Sequence, residues 1–401
     1  MIDLPALKEI VQTAETKIVM LVVDGLGGSP HPETRRSELE MARLPNLHRL
    51  AGESSGGRTV PVLPGIAPGS GPGHLALFGY DPLKYYIGRG VLETLGIDAP
   101  IGAGDVAARG NFCTVDGNGR LVDRRAGRIP SQESRPLCDL LDTIKATGVQ
   151  LKVLPVQDYR FVLLMKGEGL SDQLGETDPQ RNGVEPLPVL PLAQEAKKSA
   201  EAANQFVERA REHLRGREKA NMVLLRGFSR LPSLPSMGAA YKLNPAAVAA
   251  YPMYRGLARV VGMKVIPTGK TFDDELATLE EHYEEHDFFF LHYKPADAAG
   301  EDGNFEAKVR ALEELDARIP RLVELNPDVL VVAGDHATPS LLASHSWHPV
   351  PLLLRSKYTR GDGVPEFTER ACAQGSLGTF PAVHLMLQVL AHAGRLAKFG
   401  P

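Results

Sequence analysis

Cysteine is scarce in this chain, with three in 401 residues. Cys113, Cys138 and Cys372 stand far apart and form no CxxC pair. That spacing argues against a thiolate zinc site and against a disulfide framework, and it fits a reducing, cytoplasmic setting. Long hydrophobic runs are also missing: no apolar stretch approaches the roughly 20 residues that a bilayer-spanning helix needs. The segment Met1 to Glu15 mixes Asp, Lys and Glu with apolar residues, unlike a signal peptide. Nor is there an excess of charge of one sign. Lys and Arg number 45 against 49 Asp and Glu, a formal net charge of -4. Without a polycationic face, nucleic acid and anionic membranes are poor partners, and any anion must be held by local arginine clusters.

What the chain does have is length. At 401 residues it exceeds one ordinary domain, so two are expected, each with material for a buried core. Two apolar runs stand out. Lys17 to Val23 is followed by Asp24-Gly25-Leu26-Gly27-Gly28, and Val329 to Ala333 by Gly334-Asp335-His336. Continuous apolar runs of this length predict strands buried on both faces. In an open α/β sheet, ligands sit beyond the carboxyl ends of such strands, which is where Asp24, Asp335 and His336 fall. With His345 one loop further on, these oxygen and nitrogen donors suit Mn, Zn or Mg better than a soft thiolate metal. The plainer alternative is a strand end closed by a hydrogen-bonded Asp with surface histidines beside it. GLGG lacks the GxGxxG spacing of a dinucleotide-binding turn.

Between these runs, Pro64 to Gly73 crowds glycine and proline around Ser70, and an apolar helical segment starts directly after it. Ser70 is therefore expected at or near a helix amino terminus. There unpaired N–H groups and the helix dipole favour an anion, and an adjacent metal lowers a hydroxyl pKa. An N-cap serine in a loop is the structural alternative. Leu44 to Ala51 reads as a short packing helix.

From about residue 105 to 235 the texture changes. Asn111 to Val115, Tyr159 to Met165 and Met222 to Leu225 read as strands, Pro191 to Arg215 as a helix, and the proline-rich Val184 to Pro191 as an exposed connection. Arginines are frequent: Arg109, the cluster Arg124-Arg125-Ala126-Gly127-Arg128, Arg160 and Arg226. A small substrate carrying phosphate and carboxylate needs planar donors that grip both groups, which arginine supplies in pairs. A solvated surface is the alternative for any one of them. The chain then returns to α/β texture. Ala246 to Val261 is helical in period, Asp287 to Tyr293 is a buried strand that runs into a polar loop from Lys294 to Glu301, and Glu306 to Leu325 is a helix. Its stripe of Val309, Leu312, Leu315, Ile319 and Leu322 belongs to the core.

Taken together, Asp24-Gly25, the pattern PGSxxxHLAxxGYDP from Pro68, Gly88 to Glu93 (GRGVLE), Asp335-His336, Cys372 to Thr379 and Leu396 to Gly400 resemble the cofactor-independent phosphoglycerate mutases. The archaeal-type branch of that family, within the alkaline phosphatase superfamily, is the nearest in pattern. The resemblance implies an α/β fold: an alkaline-phosphatase-like mixed sheet flanked by helices in a metal-binding catalytic domain (1–105 and 236–401), with a smaller α+β substrate-binding domain (106–235) inserted. It further implies Ser70 as the phosphorylated nucleophile. Two divalent metal ions follow, one held by Asp24, Ser70, Asp335 and His336, the other by Asp297, Glu301 and His345. Arg109, Arg125, Arg128 and Arg226, with Lys294, would bind a small phosphorylated carboxylic acid. The expected reaction interconverts 3-phosphoglycerate and 2-phosphoglycerate through phosphoserine.

The chain departs from the family at several points. Gly71-Pro72-Gly73 replaces Asp-Thr-Ala, Glu301 replaces His, and Tyr159 and Gln180 stand where His is usual. A carboxylate at 301 makes its site harder and more negative, which favours Mn or Mg over Zn. These departures keep two relatives of the reaction in view, a metal-dependent phosphomonoesterase and a homoserine kinase-like phosphotransferase, since the metal core fixes the phosphate chemistry and the insert the substrate. A non-catalytic descendant that only binds metal or ligand is a third reading. His348 falls at a variable position of the pattern, and the sequence leaves oligomeric state open.

Overall fold

A computed structural model describes residues 7–400 of the chain. It divides into two compact units, one formed by 1–86 with 234–401, the other by 87–233. The first unit is built on an eight-stranded sheet of β1 (Ile18–Val23), β2 (Ser55–Val60), β8 (Pro245–Val248), β9 (Lys264–Val265), β10 (Phe288–Tyr293), β11 (Val329–Ala333), β12 (Val350–Ser356) and β13 (Gly378–Pro381). The strands lie in the order β13-β2-β12-β11-β1-β10-β8-β9. β11, β1, β10, β8 and β9 run parallel to one another, while β12 is antiparallel to both β11 and β2. The result is a mixed sheet with helices packed on it, the α/β class expected from the sequence.

The reason for the apolar runs is visible in the sheet. Every residue of β1, β10 and β11 is buried, because central parallel strands are covered on both faces and have no solvent side to alternate toward. The helical stripe Leu312, Leu315, Ile319 and Leu322 joins the core beneath them, and Val309 packs against it. Since β1, β10 and β11 are adjacent and parallel, their carboxyl ends fall on one edge of the sheet. Asp24, the segment that begins at Lys294, and Asp335 are thereby brought side by side.

Three element assignments differ from the sequence reading. Ala246 to Val261 is not one helix: β8 pairs with β10 and β9, and a helix follows only at Pro252–Val260. Pro252 fixes a helical φ at the first turn, whereas the buried Ala246-Ala247-Val248 run fits between two strands. Glu306 to Leu325 is two helices, Phe305–Asp316 and Ile319–Glu324, because Pro320 lacks an N–H and disfavours continuous helix across the residue before it. The polar loop after β10 is a helix, Pro295–Glu301, with Pro at its first turn. Asp297 and Glu301 are thus one turn apart on the same face.

The second unit is an antiparallel sheet of β3 (Val106–Val115), β4 (Leu121–Asp123), β5 (Gln150–Pro155), β6 (Arg160–Lys166) and β7 (Met222–Ser229), in the order β4-β3-β6-β5 with β7 also on β3. Its core includes residues of the helices Ser131–Leu141 and Lys197–His213. The unit begins at Ile87 rather than near residue 106. The helix Arg89–Gly96 lies so close on β3 that a Cβ at Gly90 would run into the Ala107 carbonyl. That contact holds the helix to the second unit's sheet. Among the described residues, no helix is long and apolar enough to cross a membrane, and none of the three cysteines is disulfide-bonded.

One polar residue inside the first unit bears directly on its sheet edge. Lys308 is wholly buried, and its Nζ donates to the carbonyls of Gly25 (2.9 Å), Gly27 (2.7 Å) and Thr338 (2.8 Å). Gly25 and Gly27 follow Asp24, and Thr338 follows His336, so this ammonium fastens the turn after β1 to the turn after β11. Burial lowers the lysine pKa, and the carboxylates of Glu38 and Glu369 oppose that. A buried carbonyl left without its donor costs about 1–3 kcal/mol. Lys308→Met, which strips three, is therefore expected to lower unfolding free energy by about 3 kcal/mol or more, read from the midpoint of urea denaturation; an unchanged midpoint would show that the clamp carries no stability.

Candidate active site

At the shared carboxyl edge of β1, β10 and β11, three aspartates and two histidines are packed together. Asp24, Asp297, Asp335 and His336 are completely buried. Most of their polar atoms have partners, and two do not. Asp24 Oδ2 accepts from the Tyr254 hydroxyl, from His292 Nε2 (3.0 Å) and from Lys294 Nζ (3.1 Å). Its Oδ1 has no hydrogen-bond partner. Asp335 Oδ1 accepts from the backbone N–H groups of Gly25 (3.2 Å) and His336 (3.0 Å), while its Oδ2 is left without one. His336 Nε2 lies 3.3 Å from Asp24 Oδ1, 3.2 Å from Asp335 Oδ2 and 3.1 Å from Ser70 Oγ.

Two orphaned carboxylate oxygens, one imidazole nitrogen and one hydroxyl thus converge on a single point. Unpartnered buried oxygens are costly unless something positive completes them. The donor set of two carboxylates, an imidazole and a hydroxyl is that of a divalent cation, and Asp24, Asp335 and His336 lie within coordinating reach of one another. The residues present therefore fit a metal ion.

Ser70 is the first residue of the helix Ser70–Leu77, with Gly69 as its N-cap, and is buried. One turn along, His74 Nδ1 donates to Ser70 O (2.8 Å) and lies 3.1 Å from Asp335 Oδ2. Burial depresses the His74 pKa, but Asp335 outweighs it and the net shift is upward. Burial alone would raise Asp24; Lys294, with His292 and His336, holds it well below the usual carboxylate range. Burial lowers His292 to about 4, so it remains a neutral donor to Asp24, and it stacks on Tyr254 at 3.4 Å between ring centroids.

A second grouping adjoins the first. Asp297, His336 and His345 offer ligand atoms within reach of one another, and the rings of His336 and His345 stack at 3.6 Å. His345 Nδ1 donates to Pro68 O (2.8 Å), which turns Nε2 toward Asp297 Oδ1 (3.6 Å) and Glu301 Oε1 (3.5 Å). Against burial, Glu301 and Asp297 hold His345 at about 9. Glu301 is the outermost of the set, with a side chain 53% exposed, so it stands at the rim while Asp297 lies beneath. Lys294 Nζ bonds Asp297 Oδ2 as well as Asp24, pairing it with carboxylates. His348 turns its Nδ1 to Ser346 Oγ (3.0 Å).

In the second unit, Arg109 and Arg226 are cross-strand partners on β3 and β7. Arg109 is buried beside Glu93 (3.8 Å), and burial together with Arg89 and Arg160 lowers its pKa to about 10. Arg226 lies 3.8 Å from Asp178, and its buried Nε has no hydrogen-bond partner. Arg124 grips Asp178 through Nε (2.8 Å) and Nη2 (2.7 Å). Arg125 and Arg128 are exposed on the turn beyond β4. Of the four arginines nominated from the sequence, two are thus adjacent within the sheet and two lie on the surface.

Relatives of known family share this whole chain. A protein of Thermosipho melanesiensis named probable 2,3-bisphosphoglycerate-independent phosphoglycerate mutase is 50% identical over 98% of both chains. A Thermus thermophilus protein of the same name is 49% identical over 99% of both. The chain belongs to the 2,3-bisphosphoglycerate-independent phosphoglycerate mutase family. The model of that family matches residues 51–219. Among solved structures, the cofactor-independent phosphoglycerate mutase of Thermoplasma acidophilum superposes with a TM-score of 0.70 at 29% identity, covering 94% of this chain and all of that one. A Pyrococcus horikoshii protein superposes at 0.84 with 28% identity, covering 97% of this chain and all of that one.

The helix that begins at Ser70 lies directly on the turn after β11, and a Cβ at Gly73 would run into the Asp335 carbonyl. Gly73→Ala is therefore expected to push Ser70 and Asp335 apart. Overpacking of this kind costs about 1–3 kcal/mol, and a displacement near 1 Å costs about 10²-fold in turnover. Paired measurements of melting temperature and kcat would test this; wild-type values in both would show that the helix yields freely.

Proposed function

We propose that this enzyme interconverts 3-phosphoglycerate and 2-phosphoglycerate without added bisphosphoglycerate, through phosphoserine at Ser70. The observation that carries the reading is the convergence of Ser70 Oγ with the unpartnered Asp24 Oδ1 and Asp335 Oδ2 and with His336 Nε2, at the start of a helix. The names of relatives about 50% identical over the full length agree with it. In the first half-reaction a bond forms from Ser70 Oγ to phosphorus as the bond to the 3-oxygen breaks, and the proton lost by Ser70 is balanced by the one gained at that oxygen. The 2-hydroxyl of the retained glycerate then takes the phosphoryl group, and Ser70 regains its proton. Holding glycerate between the halves is assigned to Arg109, Arg125, Arg128 and Arg226, with Lys294 as a further cation. Exclusion of water matters because water would otherwise take the phosphoryl group.

Asp24, Ser70, Asp335 and His336 would hold one divalent ion, and Asp297, Glu301 and His345 a second. Such ions supply Lewis acidity to a serine oxygen and to the equatorial phosphoryl oxygens. A carboxylate at 301 favours Mn or Mg over Zn. The three buried free cysteines fit a cytoplasmic enzyme.

Incubation with 3-phosphoglycerate and Mn, without bisphosphoglycerate, should yield 2-phosphoglycerate. Free phosphate in its place would mark a phosphomonoesterase, and no turnover a phosphotransferase with another acceptor. Ser70→Ala should lower kcat by about 10³-fold or more, as loss of a covalent nucleophile does; full turnover in that variant would sink the phosphoserine route. After chelation, Mn or Mg should restore more activity than Zn, and Glu301→His should narrow that gap. Equal rescue by all three ions in the parent enzyme would remove Glu301 as the selector.

A further inference from the structure

The two cation groupings are joined by a residue that belongs to neither. Thr338 is completely buried. Its Oγ1 donates to Asp297 Oδ1 at 2.6 Å and lies 3.0 Å from His336 Nδ1. A threonine hydroxyl has one proton. The Asp297 carboxylate, already accepting from Lys294, can only accept, so that proton is committed to it. The Thr338–His336 contact must then be donated from the imidazole, which places hydrogen on Nδ1 and leaves the Nε2 lone pair facing Ser70, Asp24 and Asp335. Were the hydroxyl proton turned to His336 instead, two acceptors would face each other across 2.6 Å.

The hydroxyl has little freedom to turn away. The Thr338 backbone N–H donates to Gly25 O (3.3 Å), and its carbonyl receives Lys308 (2.8 Å). A Cβ at Gly25 would collide with the Thr338 hydroxyl, and one at Gly300 with its carbonyl. Two glycines therefore leave room for this side chain and backbone while the buried lysine fixes their depth.

We infer that Thr338 is a positioning residue that sets the His336 tautomer and, through the same hydroxyl, orients Asp297, so that one side chain governs the ligand geometry of both cation groupings. This rests on the metal reading given above and extends it. Outer partners that orient a ligand in this way change metal affinity about 10–100-fold when lost.

The test uses the full chain with Thr338→Val, which is near-isosteric but has no hydroxyl, and Thr338→Ser, which restores it. Titration with Mn(II), followed by electron paramagnetic resonance, should show two ions in the parent. Both should be weakened about 10–100-fold in Thr338→Val and held near parent affinity in Thr338→Ser. Side-chain ¹⁵N spectra of the metal-free parent should show His336 protonated at Nδ1, with that signature lost in Thr338→Val. The assignment fails if the parent carries hydrogen on Nε2, if Thr338→Val binds both ions as the parent does or weakens only one, or if Thr338→Ser is as weak as Val. The parent spectrum decides the matter even where Val does not fold. A parent that takes up fewer than two ions contradicts the metal reading itself, whereas two ions in the parent and an unaffected Val variant contradict only the role of Thr338.

Discussion

Mutual repulsion among buried carboxylates is the constraint around which the first unit is arranged. Three adjacent parallel strands deliver Asp24, Asp297 and Asp335 to one water-poor edge, where each would raise the pKa of the others. The structure answers this with donors placed on the outward lone pairs: Tyr254, His292 and Lys294 on Asp24, backbone N–H groups on Asp335, and Thr338 with Lys294 on Asp297. The inward lone pairs of Asp24 and Asp335 are left unanswered. Negative charge is therefore concentrated on one side of the cluster, and the same sheet edge that makes the aspartates costly also makes them useful.

Parts of this arrangement are legible in the sequence because each is recorded in a contiguous stretch. An apolar run ended by a charged residue gives a buried strand with a functional tip, and it places Asp24 and Asp335-His336 without knowledge of the sheet. The Gly/Pro-crowded serine before an apolar segment places Ser70 at a helix start. Other parts depend on relations that no short stretch contains. Tyr254 and His292 reach Asp24 from sequence separations of 230 and 268 residues, so only the order of strands reveals them. His74 carries a faint local signal, since it stands one helical turn from Ser70. Lys308 reads as an ordinary helix lysine until its three carbonyl partners are seen.

The elements that differ from their sequence pattern all carry a proline at the join. Ala246 to Val261 has helical period because a short buried strand and the first turns of a helix happen to be apolar in succession, and Pro252 marks the join. Pro320 does the same in Glu306 to Leu325. After Lys294 the sequence suggests a polar loop, although Pro295 opens a helix that buries Asp297 and leaves Ala298 and Glu301 exposed. In each case proline holds the boundary information, concealed by hydrophobic period in the first two and by polar composition in the third. The arginines show the opposite problem: composition draws attention to all of them equally, while the sheet register pairs Arg109 with Arg226 and leaves Arg125 and Arg128 on a surface turn.

The contact between Gly73 and the Asp335 carbonyl also bears on how such a chain can change over generations. The first turn of one helix and a turn more than 260 positions away meet through bare backbone at Gly73, so a side chain there has room only where the Asp335 turn moves with it. The two segments thereby limit each other's substitutions.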